Sequence, residues 1–115
     1  MKNNIDKGSD GENIAKNYLQ SKGGIIKEMN FRHSRYEVDL IIVDKNTLVF
    51  VEVKTRINNS FGEPEEAVNA KKIDNVQKAA NYYQEKINWH GKIRFDIIAV
   101  TLTPRIDVLH IIDAF

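Results

Sequence analysis

The stretch YEVDLIIVDKNTLVFVEVK, residues 36–54, decides the fold of this chain. Its two halves, residues 36–43 and 48–54, are rich in Val, Ile, Leu and Phe, a composition that predicts two β-strands. The polar residues between them, from Asp44 to Thr47, are typical of a short hairpin turn. We therefore expect an antiparallel hairpin here.

The register of this hairpin brings charged side chains together on one face. If the turn has two residues, Asp39 lies directly opposite Glu52, and Glu37 lies opposite Lys54. Two carboxylates about 5 Å apart repel each other by on the order of 3 kcal/mol at an effective dielectric constant of about 20. A hairpin that keeps such a pair needs a compensating partner, and a divalent cation such as Mg²⁺ supplies one.

This arrangement predicts metal-assisted hydrolysis of a phosphodiester. Asp39 and Glu52 would hold the ion, and Lys54 would hold the attacking water or stabilise the charge of the transition state. An alternative is that these side chains form a solvated, mutually paired polar face of the hairpin. The spacing alone leaves both interpretations open.

Two helices are expected outside the hairpin. Ser9 and Glu12 have the spacing of a capping box, which predicts a helix that starts at Ser9. A second, amphipathic helix ends near Lys86 and begins either just after Pro64 or at Asn69, acting as its N-cap. Glu12 therefore has a purely structural interpretation beside any role in a site.

The remaining segments complete an α/β fold with a mixed central sheet of about five strands flanked by two helices. Extended segments are expected at residues 25–29, 93–101 and 106–112, and a polar loop between the first of them and Tyr36. Arg94 and Asp96 share one strand face, which predicts a structural ion pair. His110 is expected to be a packed or edge residue without a catalytic role.

Length and composition exclude several classes of protein. The 115 residues fit one domain, expected at residues 9–115 after a flexible tail at residues 1–8. The chain has no cysteine, which excludes disulfides, thiol catalysis and cysteine-type zinc sites. Its net charge of +1 requires any nucleic-acid contact to be local. No apolar run approaches the roughly 20 residues of a membrane span, and no secretory signal is visible, so we expect no membrane partner and a cytoplasmic location.

Further motifs follow one another along residues 8–115. They are Gly11-Glu12 with Ala15 and Tyr18-Leu19, Asn30 with Arg32, Glu37 to Ile41, Phe50 to Arg56, Phe61-Gly62, Pro64, Ala67-Val68, Lys71 or Lys72, and Arg94-Phe95-Asp96. In this order they resemble the YraN-like family of small bacterial proteins, which are related to archaeal Holliday-junction resolvases. Asp39 followed by Glu52-Val53-Lys54 also resembles the signature of the PD-(D/E)XK nuclease superfamily.

The resemblance implies a restriction-endonuclease-like core and a magnesium- or manganese-dependent endonuclease acting on branched or single-stranded DNA. By position, Asp39, Glu52 and the carbonyl of Val53 would bind the ion, Glu12 would help to complete the metal site, and Lys54 would be the catalytic lysine. It also implies a homodimer. Two family positions differ: Tyr36 replaces a Gly, and Val38 replaces the superfamily's Pro.

Basic residues near the expected site are candidates for contacts with DNA phosphates. They are Arg32, Arg35, Arg56, Lys71 and Lys72. Ordinary surface charge explains each of them equally well when it is taken singly. The alternative function is a non-catalytic module that retains the nuclease fold and binds nucleic acid or a protein partner.

Overall fold

The computed structural model describes residues 7–58 and 69–115, with side chains from residue 10 onward. The elements along the chain are α1 (Lys7–Ser21), β1 (Ile25–His33), β2 (Tyr36–Asp44), β3 (Thr47–Arg56), α2 (Ala70–Ile87), β4 (Lys92–Thr101) and β5 (Asp107–Ile111). Five strands and two helices within these ranges confirm the expected α/β class.

The five strands form one mixed sheet in the order β1-β2-β3-β4-β5. β3 and β4 are parallel, whereas the other three neighbouring pairs are antiparallel. A parallel pair needs a crossover connection, and α2 lies in the one between β3 and β4. β3 is therefore paired on both sides from Thr47 to Val51, whereas Glu52 and Lys54, further along the strand, pair with β4 alone.

Each helix covers one face of the sheet. Ala15 and Leu19 of α1 pack with Val49 and Val51 of β3, and this cluster defines the α1 face. Val76 and Tyr83 of α2 lie in a second cluster, which defines the α2 face and whose sheet residues are Phe31, Val38, Ile41, Leu48 and Phe50. Because strand side chains alternate, Glu52 and Lys54 share the α2 face with Phe50.

The predicted register of the central hairpin is confirmed. Asp44 pairs with Thr47 and Leu40 pairs with Val51, so the turn contains two residues, of which Lys45 has a left-handed φ of 57°. The backbone pairing of β2 with β3 ends at Leu40 and Val51. Asp39 and Glu52, expected to lie directly opposite each other, therefore lie just beyond the last backbone pair, and the expected pairing of Glu37 with Lys54 is wrong because β2 and β3 separate before they reach it.

β1 is longer than predicted, and Arg32 belongs to it. The strand continues to His33 because Phe31 pairs with Val38 and Arg32 pairs with Glu37, where the sequence suggested a polar loop. Val38 also packs with the α2-face cluster, although strict alternation would place it on the α1 face with Leu40.

α1 starts earlier than expected, whereas α2 starts at one of its two expected positions. α1 begins at Lys7, so Ser9 lies inside its first turn and is not the N-cap. Lys7 and Gly8 therefore belong to the helix and not to the expected tail, and residues 1–6 lie outside the described residues. For α2, Asn69 is the N-cap, and its side chain accepts a hydrogen bond from the backbone N–H of Lys72.

We expect Gly11→Ala to destabilise the fold by about 1–3 kcal/mol. At Gly11 the backbone of α1 lies directly against β3, since a Cβ at this position would overlap the side chain of Thr55 and lie 2.8 Å from its Cβ. This overlap outweighs the gain of about 0.5–1 kcal/mol that Ala brings to a helix. Urea denaturation measures the difference, with exposed Asn13→Ala as the control within about 0.5 kcal/mol of wild type. Equal stability of the Gly11 variant would contradict the close contact.

Candidate functional site

Two carboxylates meet where β2 and β3 separate. Asp39 of β2 accepts a hydrogen bond from the backbone N–H of Val53 of β3, with 2.8 Å between Oδ2 and N. Glu52 of β3 is buried, with 7% of its surface exposed. Its Oε1 atom is buried and has no hydrogen-bond partner within the described part of the chain. The backbone pairing of the two strands ends at Leu40 and Val51, and just beyond this point the side chain of Asp39 connects β2 to β3.

The pKa values of both carboxyl groups are raised. Burial, followed by the neighbouring charge of Asp39, raises the pKa of Glu52 from 4.5 to about 7. Burial also raises the pKa of Asp39, although the Val53 N–H and Lys72 partly counteract it. The pair therefore carries more negative charge at neutral pH than its surroundings stabilise, and it favours the uptake of a proton or a cation.

Lys72 of α2 is the cation that contacts this pair. Its Nζ lies 3.1 Å from Oε2 of Glu52, and its own pKa is raised because the charges of Glu52 and Asp39 outweigh the effect of burial. Lys72 lies in the first turn of α2, where its backbone N–H donates to the side chain of the N-cap Asn69. The sequence placed Lys72 among the phosphate contacts and did not identify it as the partner of Glu52.

Lys54 lies two residues beyond Glu52 on the same strand. It is partly exposed and pairs with Ala99 of β4 through the parallel ladder. Its position at the end of the sheet that carries Asp39 and Glu52 agrees with the sequence, and its catalytic role stays a prediction.

Glu12 does not join the two carboxylates in a compact cluster. Within residues 7–58 and 69–115, no group of three His, Cys, Asp or Glu side chains is arranged to hold a metal ion. Glu12 is partly exposed and follows Gly11, which packs on Thr55, a residue of the α1 face of β3. Its assistance at the metal site stays a prediction.

The other predicted phosphate contacts lie around the site in different environments. Arg32 is exposed and forms an ion pair of 2.9 Å with Glu37, its partner across β1 and β2. Arg35 lines a cavity of about 200 Å³ together with Glu37, Lys72 and Asn75. Arg56 is the last residue of β3 and Lys71 is an exposed residue of α2. Their contacts with DNA phosphates stay predictions.

A second buried polar group lies between β4 and β5. Arg94 and Asp96 form the predicted ion pair, with 2.8 Å between Nε and Oδ1. His110, to which the sequence assigned no role, also lies 2.8 Å from Asp96, through its Nε2 atom. The signal that could have found it is the alternation of β5, which points His110 to the same face as Asp96.

None of the helices in the described ranges is long and apolar enough to cross a membrane.

The model of a family described as Uncharacterised protein family UPF0102 matches residues 11–100. That range contains Glu12, Asp39, Glu52, Lys54 and Lys72.

Individual relatives extend the match over nearly the whole chain. A UPF0102 protein of Clostridioides difficile (strain 630) is 44% identical over 114 residues, which cover 98% of this chain and 99% of that protein. A UPF0102 protein of Clostridium botulinum (strain 657) is 46% identical over 101 residues, covering 86% of this chain and 82% of the relative. One from Cytophaga hutchinsonii is 44% identical over 97 residues, covering 84% and 86%. This chain therefore belongs to the UPF0102 family, the YraN-like family that its motifs resemble.

Proposed function

We propose that this protein is a metal-dependent endonuclease of the PD-(D/E)XK type, with a restriction-endonuclease-like core, that hydrolyses phosphodiester bonds of branched or single-stranded DNA. The observation that carries the proposal is the Oε1 atom of Glu52, which is buried, lacks a hydrogen-bond partner within the described residues and lies beside Asp39. A divalent cation would satisfy this oxygen and neutralise the excess charge of the pair.

The donor atoms at this position suit Mg²⁺ or Mn²⁺. Asp39 and Glu52 offer carboxylate oxygens, and hard cations of this kind take one or two carboxylates and complete their shell with water. The N–H of Val53 points to Asp39, and the N–H and C=O groups of one strand residue face the same neighbouring strand. The carbonyl of Val53 is therefore directed toward the same gap and supports its proposed part in binding the ion.

Each side chain of the site has a separate task in this proposal. A bound Mg²⁺ would supply a Lewis acid that acidifies water and neutralises charge on the phosphate. The Val53 N–H fixes the orientation of Asp39, and Lys72 holds the second oxygen of Glu52. Lys54 would position the attacking water or stabilise the charge that develops as the P–O bond breaks, and Glu12 would assist from α1.

Adding Mg²⁺ or Mn²⁺ is expected to stabilise the wild-type protein and not Asp39→Asn. The Asn side chain still offers an oxygen to the Val53 N–H, so the fold is retained while one charged ligand is lost. For a dissociation constant of about 0.1 mM, about 10 mM ion stabilises the protein by about 2.7 kcal/mol. Thermal denaturation measures this shift, and Asp74→Asn on the exposed face of α2 is the control that should retain it. The absence of any shift in the wild type would contradict the metal site.

Cleavage of DNA is expected to need Lys54 as well as Asp39. A four-way junction and a single strand are incubated with Mg²⁺ and analysed on denaturing gels. Lys54→Ala should lose cleavage and keep the thermal shift, because it removes an amine and no proposed metal ligand. Cleavage that survives either substitution undiminished would contradict the assignment.

The ion pair between Lys72 and Glu52 favours a second candidate function. An amine of the chain itself already compensates one oxygen of Glu52, as in a protein that has no need of a metal. In that case the protein is a non-catalytic module that binds nucleic acid or a protein partner. Binding of DNA without a thermal shift or cleavage would support this candidate over the nuclease.

A further inference from the structure

A row of exposed side chains runs along α2, away from the acidic site. Lys72 contacts Glu52 at its beginning. Lys78 then lies 5.5 Å from the centre of the Tyr36 ring, and Lys86 lies 5.5 Å from the centre of the Phe31 ring. At 1.5 Å per residue, the path from Lys72 to Lys86 is about 21 Å long. It runs beside β1 and β2, against which α2 packs.

The middle of this row is an aromatic platform. The rings of His33 and Tyr82 are stacked, with their centres 3.5 Å apart and their planes within 7° of each other. Phe31 lies behind them, 6.2 Å from Tyr82. Tyr82 remains 39% exposed although it is one of the larger aromatic side chains. An exposed ring that is packed against other aromatic rings in this way can stack on a further flat ring.

Positive charge predominates around the platform. α2 contains four lysines and two acidic residues, and Arg35 stands at the tip of the hairpin with its guanidinium 5.3 Å from the centre of the Tyr36 ring. One of the lysines, Lys78, pairs with Asp74 at 3.0 Å, and half of its side chain is exposed. Exposed pairs of this kind contribute little and can exchange for a phosphate.

We define the α2 stripe as Lys78, Tyr82 and Lys86 of α2 together with His33 and Arg35 of the neighbouring β1–β2 hairpin. We propose that the α2 stripe binds single-stranded DNA and leads it to the Asp39–Glu52 site. An unpaired base would stack on the His33–Tyr82 platform, and the lysines and Arg35 would contact the phosphates. That the bound strand is also the substrate rests on the proposed nuclease function. A duplex fits less well, because its bases are already stacked and paired and only their edges are accessible.

Binding of a short dye-labelled single strand, measured by fluorescence anisotropy in the presence of EDTA, tests the stripe. Tyr82→Leu keeps an apolar side chain against Phe31 and removes the stacking surface, and His33→Ala removes its other half. Each is expected to weaken binding of the single strand about tenfold or more, with little effect on a matched blunt duplex. Unchanged binding of the single strand, or an equal loss for the duplex, would overturn the proposal.

The lysines have a separate readout in the salt dependence of binding. Removing two phosphate contacts with Lys78→Ala and Lys86→Ala should lower the slope of log K against log salt by about 1.4. The control removes Lys16 of α1 and Lys22, which directly follows α1, on the other face of the sheet, with the same change in net charge and no expected change in slope. If both double substitutions lower the slope equally, the slope depends on the net charge of the protein and not on contacts at the α2 stripe, which would contradict the proposal.

These measurements separate the stripe from the nuclease proposal. Binding in EDTA needs neither a metal nor cleavage, and the stripe variants leave the carboxylates intact. If binding depends on Tyr82 while metal gives no thermal shift, the nuclease proposal fails and the stripe stands. If metal and cleavage behave as proposed while Tyr82→Leu binds normally, the stripe fails alone.

Discussion

Replacing Glu52 with Gln is expected to stabilise the metal-free protein by about 3 kcal/mol above neutral pH. The pKa of Glu52 is raised from 4.5 to about 7, and each unit of such a shift corresponds to about 1.4 kcal/mol of unfolding free energy. A neutral Gln removes this penalty. Its amide can donate to Asp39 and its oxygen can accept from Lys72, so the substitution need not leave a buried group unsatisfied.

The sign of the pH dependence follows from the direction of the shift. Glu52 binds its proton more tightly in the folded than in the unfolded protein, so stability falls as the pH rises between these two pKa values. The penalty is absent below about pH 4.5, grows through the interval and is complete above about pH 7. Urea denaturation across this range should show the decline in the wild type and a flatter curve for Glu52→Gln.

The same variant should lose the stabilisation by Mg²⁺ or Mn²⁺, because it lacks a charged ligand. Higher stability without metal and no response to metal are the combined signature of a carboxylate kept for binding and not for folding. Glu37→Gln is the matched control, since Glu37 is exposed and paired with Arg32, and it should change stability by less than about 1 kcal/mol. A Glu52→Gln protein less stable than wild type above neutral pH would contradict the strained pair.

The hairpin and the meeting of Asp39 with Glu52 could be predicted because they depend on local rules. A two-residue turn sets the register of every following pair, and a strand alternates its faces. The N-cap of α2 at Asn69 is local in the same way, although the sequence left Pro64 as an alternative. The early start of α1 at Lys7 was missed because a Ser–Glu spacing of three also occurs inside helices.

The contacts that could not be predicted connect residues far apart along the chain. Lys72 reaches Glu52 only because α2 packs across the sheet, and no spacing in the sequence records that crossing. The sequence therefore assigned the compensating charge to a divalent cation and placed Lys72 among the phosphate contacts. Val38 shows a related limit, since packing against the α2-face cluster overrides the period of two.

Replacing Asp96 with Ala is expected to destabilise the protein by about 3–5 kcal/mol, because it leaves the charged and polar partners of a buried carboxylate unsatisfied. Asp96 is fully buried. It accepts hydrogen bonds from Arg94 at 2.8 and 2.9 Å and from the backbone N–H of Asp113 at 3.0 Å, and it lies 2.8 Å from Nε2 of His110. One side chain thus ties β4 to β5 and to the C-terminal segment.

The pKa of Asp96 agrees with this structural role and contrasts with that of Glu52. Burial alone would raise it, but the hydrogen bonds from His110, Arg94 and the Asp113 N–H outweigh burial and lower it from 3.8 to about 2. The stabilisation is therefore complete above about pH 4 and is lost as the pH falls through about 2. Acid denaturation should show this loss in the wild type and not in Asp96→Ala.

Urea denaturation of Asp96→Ala, with exposed Asp74→Ala as a control expected to cost less than about 1 kcal/mol, measures the effect. Asp96 pairs with Val51, the residue before Glu52, so the variant also tests whether this carboxylate belongs to the metal site. At a temperature where the variant is folded, it should still be stabilised by Mg²⁺, because Asp39 and Glu52 meet on the other side of β3, away from β4. A residue that only ties β4 to β5 changes the stability of the fold and leaves the binding of the ion unchanged. Loss of the metal response would therefore contradict a purely structural role for Asp96, and so would a stability within about 1 kcal/mol of wild type.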